Sequence, residues 1–95
     1  MVVGVCKLDL RIPGCRSLKD KRRVLRKIKD RAASRFGIAV AETEHQNLWQ
    51  RAEMGFAAVG NDHGVIEGVI QRVVNFIADE SDVLVLDRYT EIMHI

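Results

Sequence analysis

The sequence predicts an α+β fold, a four-stranded antiparallel sheet with two helices on one face, and three features of its 95 residues carry that prediction. Stretches that alternate with period two and stretches with helical periodicity follow one another as strand, helix, strand, strand, helix, strand. Each helical stretch has one apolar stripe, wide enough to need a sheet beneath it. Turn and cap residues, Pro13-Gly14 and Gly60-Asn61-Asp62, stand before both helices.

Val2 to Ile12 places Cys6, Leu8, Leu10 and Ile12 on one face and Val3, Val5, Lys7, Asp9 and Arg11 on the other, which is a half-buried strand. Ser17 is placed to cap the first helix, with Asp20 three residues on completing a capping box with a short acid. Leu18, Leu25, Ile28, Ala32 and Phe36 form its stripe, and Phe36-Gly37 supplies the stop, since glycine takes the left-handed position after a helix most readily. Ile38 to Glu44 is a short extended segment, His45 to Trp49 a polar-edged connection, and Arg51 to Val59 a strand with Ala52, Met54, Phe56 and Ala58 on one face. The second helix buries Val65, Ile66, Val69, Ile70, Val73, Phe76 and Ile77. Gly64 and Gly68 each weaken it by ~1 kcal/mol relative to Ala, so it depends on packing. Val83 to about Ile92 is the last strand, with Val83 and Val85 opposed to Leu84 and Leu86.

Two interlocking right-handed strand–helix–strand crossovers give the ferredoxin-like arrangement, with residues 1–95 as a single domain. The expected loop positions are Pro13–Ser17 and Gly60–Gly64 together at one end of the sheet, and His45–Gln50 at the other, near Gly37. The helix-free face is expected to show Val3, Val5, Ala39, Ala41, Ala57, Val83 and Val85 among Lys7, Asp9, Glu53 and Asp87. That is a contact patch for a homodimer or another protein.

No run approaches the ~20 apolar residues that cross a bilayer, so no membrane partner is expected. The opening MVVGVCKLDL lacks a basic start and reads as a strand rather than a signal peptide. Cys6 and Cys15 show neither ligand spacing nor a disulfide framework, and a reduced, cytoplasmic location is the expectation.

The net charge of +2 hides a polarised molecule. Ten of the fifteen basic residues lie between Arg16 and Arg35 with only Asp20 and Asp30 among them, which leaves five basic and eleven acidic residues elsewhere.

With those residues noted, the chain resembles the YlxP-like family, small bacterial proteins classed as a domain of unknown function. The resemblance rests on PGCRSLKDKRRVLRKIKDR from Pro13 to Arg31, on Phe36-Gly37, and on AETEHQNLWQRAEMG from Ala41 to Gly55, more loosely on GNDHGVIEGVI. It spans nearly the whole chain, its H-Q-x-L-W-Q-R-A run is specific, and the terminal IMHI finds no counterpart. It implies a ferredoxin-like fold and a cytoplasmic location. Because genes of this family often sit among translation and ribosome-maturation genes, it also implies an association with RNA or the ribosome. It carries over no catalytic residue.

The basic helix offers Arg16, Lys19, Arg22, Arg23, Arg26, Lys27, Lys29 and Arg31 to a phosphate backbone, where each neutralised phosphate releases counterions. The plainer reading is a solvated face whose cations satisfy acids on the same or a second chain. Against it, like charges three and four residues apart repel, and two acids relieve little of that. Base-stacking aromatics are absent from the central strands: Phe56 is in phase with the core, and Val3 and Val5 stand where an aromatic would be wanted. Where RNA binds, the expected contact is through the helix to the phosphates of structured RNA, with a ribosomal subunit as the partner that the resemblance implies.

His45, Gln46, Trp49 and Arg51 make a second candidate, a recognition loop in which Trp49 stacks on a base or anchors a protein partner. The favoured alternative is structural, with Leu48 and Trp49 folding over the end of the core while His45 and Gln46 satisfy nearby carbonyls. A third is the pair of helix starts, Pro13–Ser17 beside Asn61–Gly64, whose free N–H groups with Arg16 and His63 would hold a small anion. Asp62 opposes that, and the glycine-rich loop of acylphosphatases is missing. Cys15, preceding a helix and next to Arg16, invites a lowered thiol pKa, but no base or resolving cysteine stands beside it. His45, His63 and His94 are scattered, so no metal and no cofactor is implied. The reading is a non-enzymatic, cytoplasmic RNA- or ribosome-associated protein. Its alternatives are a homo-oligomer using the open sheet face and a small-anion or phosphate-transfer enzyme at the paired helix starts.

Overall fold

In the computed structural model, which describes residues 1–95, the alternating segments become β1 (Val2–Arg11), β2 (Ala39–Glu44), β3 (Arg51–Gly60) and β4 (Leu84–His94). The two periodic segments become α1 (Leu18–Phe36) and α2 (His63–Ala78). The caps act as the sequence indicates. Ser17 Oγ accepts the Asp20 N–H at 3.1 Å, the Asp62 carboxylate accepts the Val65 N–H at 2.9 Å, and Gly37 ends α1 at φ 62°.

The strands lie in the order β2-β3-β1-β4 with every neighbouring pair antiparallel, and both helices cover one face, so the fold is ferredoxin-like α+β. A cluster of 20 buried apolar residues fills the space between. It includes Cys6, Leu8 and Leu10 from β1, Met54 and Phe56 from β3, Leu25, Ile28 and Ala32 from α1, and Ile66, Ile70, Val73 and Ile77 from α2. Each large side chain so buried contributes about 1.5–3 kcal/mol, and in a chain with few aromatics that burial comes mainly from aliphatics.

Gly4 sets how closely α2 approaches the sheet. A Cβ there would stand 2.5 Å from Ile66 Cγ2 and 2.6 Å from Ile70 Cδ1. Gly4→Ala should therefore cost about 1–3 kcal/mol through overpacking, read as a lower urea midpoint at unchanged slope.

Three expectations are corrected. The first concerns the ends of the sheet. Because β3 runs antiparallel to β1, Gly60 pairs with Val2 and Arg51 with Arg11. α1 and α2 therefore start at opposite ends, about 30 Å apart along a ten-residue strand. The paired helix starts do not form, and no site combines Arg16 with His63. Instead His45–Gln50 lies beside Pro13–Ser17: the Ile12 N–H donates to the Gln50 carbonyl at 2.9 Å.

The second concerns β4. Its register on β1 shifts between Leu10, which faces Val85, and Asp9, which faces Asp87, so Leu86 is an extra residue at a bulge. Val83 is buried and Val85 packs against the core, whereas Leu84 and Leu86 are exposed. The open face thus shows Tyr89 opposite Lys7 and Met93 opposite Val3, in place of Val83 and Val85.

The third concerns the histidines. His45 stands apart, but His63 Nδ1 and His94 Nε2 are 2.7 Å apart, with the rings stacked, and His63 Nε2 is 3.3 Å from Glu67 Oε1. The terminal IMHI continues β4, and the ends of the chain meet: the Met1 ammonium donates to the Ile95 carbonyl and the Ile95 N–H to that of Met1, both at 2.8 Å.

Candidate nucleic-acid interface

On a helix turning 100° per residue, Lys21, Leu25, Ile28 and Ala32 fall on one stripe, and all four are buried. The remaining cations of α1 divide between its two flanks. On the side toward α2, Lys27 Nζ lies 4.0 Å from Asp82, Arg31 lies 3.9 Å from Glu80, and the Arg35 guanidinium lies 5.5 Å from the centroids of both Phe36 and Phe76. On the opposite side, toward β2, Lys19, Arg22, Arg26 and Lys29 form no ion pair, and neither does Arg16 ahead of the helix. Arg23, between the flanks and 80% exposed, reaches Asp20 at 3.6 Å.

Exposed pairs of that length contribute at most ~1 kcal/mol and leave much of the positive field in place. Arg22, Arg26 and Lys29 rim a crevice of about 140 Å³ floored by Leu25 and Met54. Glu42 is the acid in that crevice, and Lys21 already engages it. Lys19 to Lys29 spans about 15 Å of helix, long enough to follow two or three successive phosphates.

Lys21, 1% exposed, is the one buried charged side chain of the protein. Its ammonium pairs with Glu42 Oε2 at 2.8 Å and donates to the His45 carbonyl at 2.5 Å. The signal was present, since Lys21 precedes Leu25 by four residues and Ile28 by seven on the buried stripe.

The loop after β2 is held from several sides. His45 takes a left-handed conformation at φ 64°, and Gln46 Nε2 donates to the Glu42 carbonyl at 3.4 Å. Gln50 Nε2 donates to the carbonyls of Pro13 at 3.3 Å and Cys15 at 3.2 Å. Gln46 thus plays the carbonyl-satisfying part expected of it, and Gln50 does so more extensively. Leu48 and Trp49 do not cover the core: they are 49% and 53% exposed. Arg51 leaves the loop for the open sheet face, where its Nη2 donates to both Asp9 oxygens at 3.0 and 2.8 Å. Of the candidate loop residues, His45, Gln46 and Trp49 remain at the α1 end, and Arg51 is committed to Asp9.

The cysteines are buried and free. Burial pushes the Cys15 thiol above its ordinary range, and Asp20 and Asp82 add to this more than Lys21 and Arg23 oppose it. Burial raises Cys6 likewise, with the Thr90 hydrogen bond and Arg88 opposing. The helix start therefore does not activate Cys15. A raised thiol pKa means that the folded chain holds its proton where the unfolded chain has lost it. The associated stability is full below the ordinary thiol range and declines as pH rises through it. Both thiols should resist iodoacetamide at about pH 8 and react promptly in urea; rapid labelling of the folded protein would contradict the burial.

A family model described as "Protein of unknown function (DUF503)" matches residues 3–90. The "Uncharacterized protein YlxP" of Bacillus subtilis (strain 168) is 36% identical over 76 residues, covering 80% of this chain and 83% of that protein. The chain belongs to the YlxP-like family. A solved structure, the de novo designed protein Foldit4, superposes with a TM-score of 0.54 over 98% of both chains at 12% identity, a likeness of fold alone. For the YlxP-like family these names state no activity, so the charge and geometry of this member carry the functional reading. No helix here is long and apolar enough to cross a membrane.

Proposed function

We propose that this YlxP-like protein is a cytoplasmic RNA-binding protein without enzymatic activity, which lays the β2-side flank of α1 along the phosphate backbone of structured RNA, on a ribosomal subunit or free. One observation carries the reading: Arg16, Lys19, Arg22, Arg26 and Lys29 have no carboxylate partner although acids outnumber bases outside the Arg16–Arg35 segment. Nonspecific phosphate contact has a quantitative signature. With about four phosphates neutralised, log K should fall against log salt with a slope of about −3 to −4. The test is a salt titration of binding to a structured RNA hairpin and to isolated ribosomal subunits. A slope near zero, or no binding at low salt, ends this reading.

A second reading has its own observation. Val5, Ala39, Ala41, Gly55 and Ala57 line a shallow apolar depression of about 320 Å³ on the helix-free face. Such a surface suits a second copy of the chain packed sheet to sheet. Light scattering should then give twice the monomer mass, and Val5→Lys should return a folded monomer. A monomeric wild type would remove this reading and leave the first intact.

A further inference from the structure

Trp49 is the chain's sole tryptophan, and half of it is in water on a loop fastened to its surroundings. The fastenings are Lys21 to the His45 carbonyl, Gln46 to that of Glu42, Gln50 to those of Pro13 and Cys15, and the Ile12 N–H to the Gln50 carbonyl. An aromatic exposed on a mobile loop would need no explanation. An aromatic held out by a loop this constrained is a preorganised surface, because the entropy of ordering it has been lost in folding already. The fold also decides what lies next to it. Lys21 bonds the loop while its helix neighbours Lys19 and Arg22 belong to the unpaired flank, and Gln50 grips the segment leading into Arg16. The aromatic therefore stands at the start of the cationic track.

From this juxtaposition we infer that Trp49 is a stacking platform for an unpaired base, at the end of the phosphate track formed by Arg16, Lys19, Arg22, Arg26 and Lys29. The inference rests on the RNA reading and narrows it to RNA in which a helical stem adjoins an unpaired nucleotide. Every base has a π face, so the platform supplies affinity with little sequence preference. The exposed His45 and Asn47 beside it are the polar groups left to contact a base edge. A protein partner would use the same aromatic, but the adjoining cations favour the polyanion.

The lone tryptophan makes the test direct. An RNA hairpin with an unpaired loop should quench the intrinsic fluorescence, and a blunt duplex of the same stem should bind without quenching it. Trp49→Ala should weaken hairpin binding about tenfold and leave duplex binding within about twofold, while Trp49→Phe retains most of the hairpin affinity. Equal hairpin affinity for wild type and Trp49→Ala overturns the stacking inference and leaves the phosphate contact standing. So does Trp49→Ala that binds the hairpin normally but no longer co-sediments with ribosomal subunits, which assigns the residue to a protein. Failure of wild type to bind either RNA at low salt overturns both readings together.

Discussion

Reversing Arg22 and Arg26 to Glu should lower the proposed affinity for structured RNA on the order of a hundredfold at ~0.1 M salt and flatten the salt slope by about 2, while thermal stability should stay within ~0.5 kcal/mol of wild type. The two halves of this expectation come from one geometric fact. Both side chains project from the β2-side flank, are exposed, and pair with no acid, so folding gains little from their charge. Lys19 lies three residues before Arg22 and Lys29 three after Arg26, and each repels its neighbour, so reversal relieves a few tenths of a kcal/mol per pair and offsets the repulsion that the new carboxylates meet from Glu42 in the crevice. The opposite flank provides the control. Lys27→Glu with Arg31→Glu reverses the same number of charges but sets them against Asp82 and Glu80, so that variant should lose stability, by up to ~1 kcal/mol, and retain most RNA affinity. Equal losses of binding from the two flanks, measured by filter binding beside thermal melts, would show that net charge rather than the flank governs the interaction.

What the sequence made legible follows from which forces are local. Ser17, Asp62 and Gly37 cap or end helices through groups three or four residues away, so α1 and α2 could be read to within a residue or two. The alternation of β1 is set by burial of one face and survives intact. What failed depends on partners distant in sequence. The end of the sheet at which α2 starts is fixed by β3 running antiparallel to β1, and a helix's own residues say nothing about that direction. The phase of β4 turns on one extra residue opposite Asp9 and Leu10, a bulge that Leu84-Val85-Leu86 does not announce because every residue there is apolar. The first of these also separates Trp49 from Arg16: with His45–Gln50 expected at the Gly37 end, a cover for the core is the natural role for Trp49, whereas the antiparallel β3 brings the loop beside Pro13–Ser17. Lys21 is a different case. Its charge argues for the surface and its periodicity for the interior, and an acid on β2 resolves that conflict.

Lys21→Met is the substitution expected to cost most, about 2–4 kcal/mol. It retains much of the buried aliphatic stem, so the loss is electrostatic rather than a cavity. It leaves Glu42 Oε2 without its cation and the His45 carbonyl without its donor. The Glu42 side chain, 25% exposed, can recover some hydration, which keeps the cost below that of a fully buried orphaned carboxylate. Lys21→Met combined with Glu42→Leu removes both charges and should restore a large part of the loss, since an apolar pair often replaces a buried ion pair without penalty. What it cannot restore is the bond to His45. Urea unfolding of the single and double variants separates these contributions, and amide exchange over residues 45–50 should be faster in both. If Lys21 fixes the loop that presents Trp49, hairpin affinity should remain reduced in the stabilised double variant, while duplex affinity should stay close to wild type because one positive and one negative charge are removed together. A double variant that regains stability yet exchanges slowly in the loop would show that Gln46, Gln50 and the β1 backbone suffice to hold it, and that Lys21 serves the core alone.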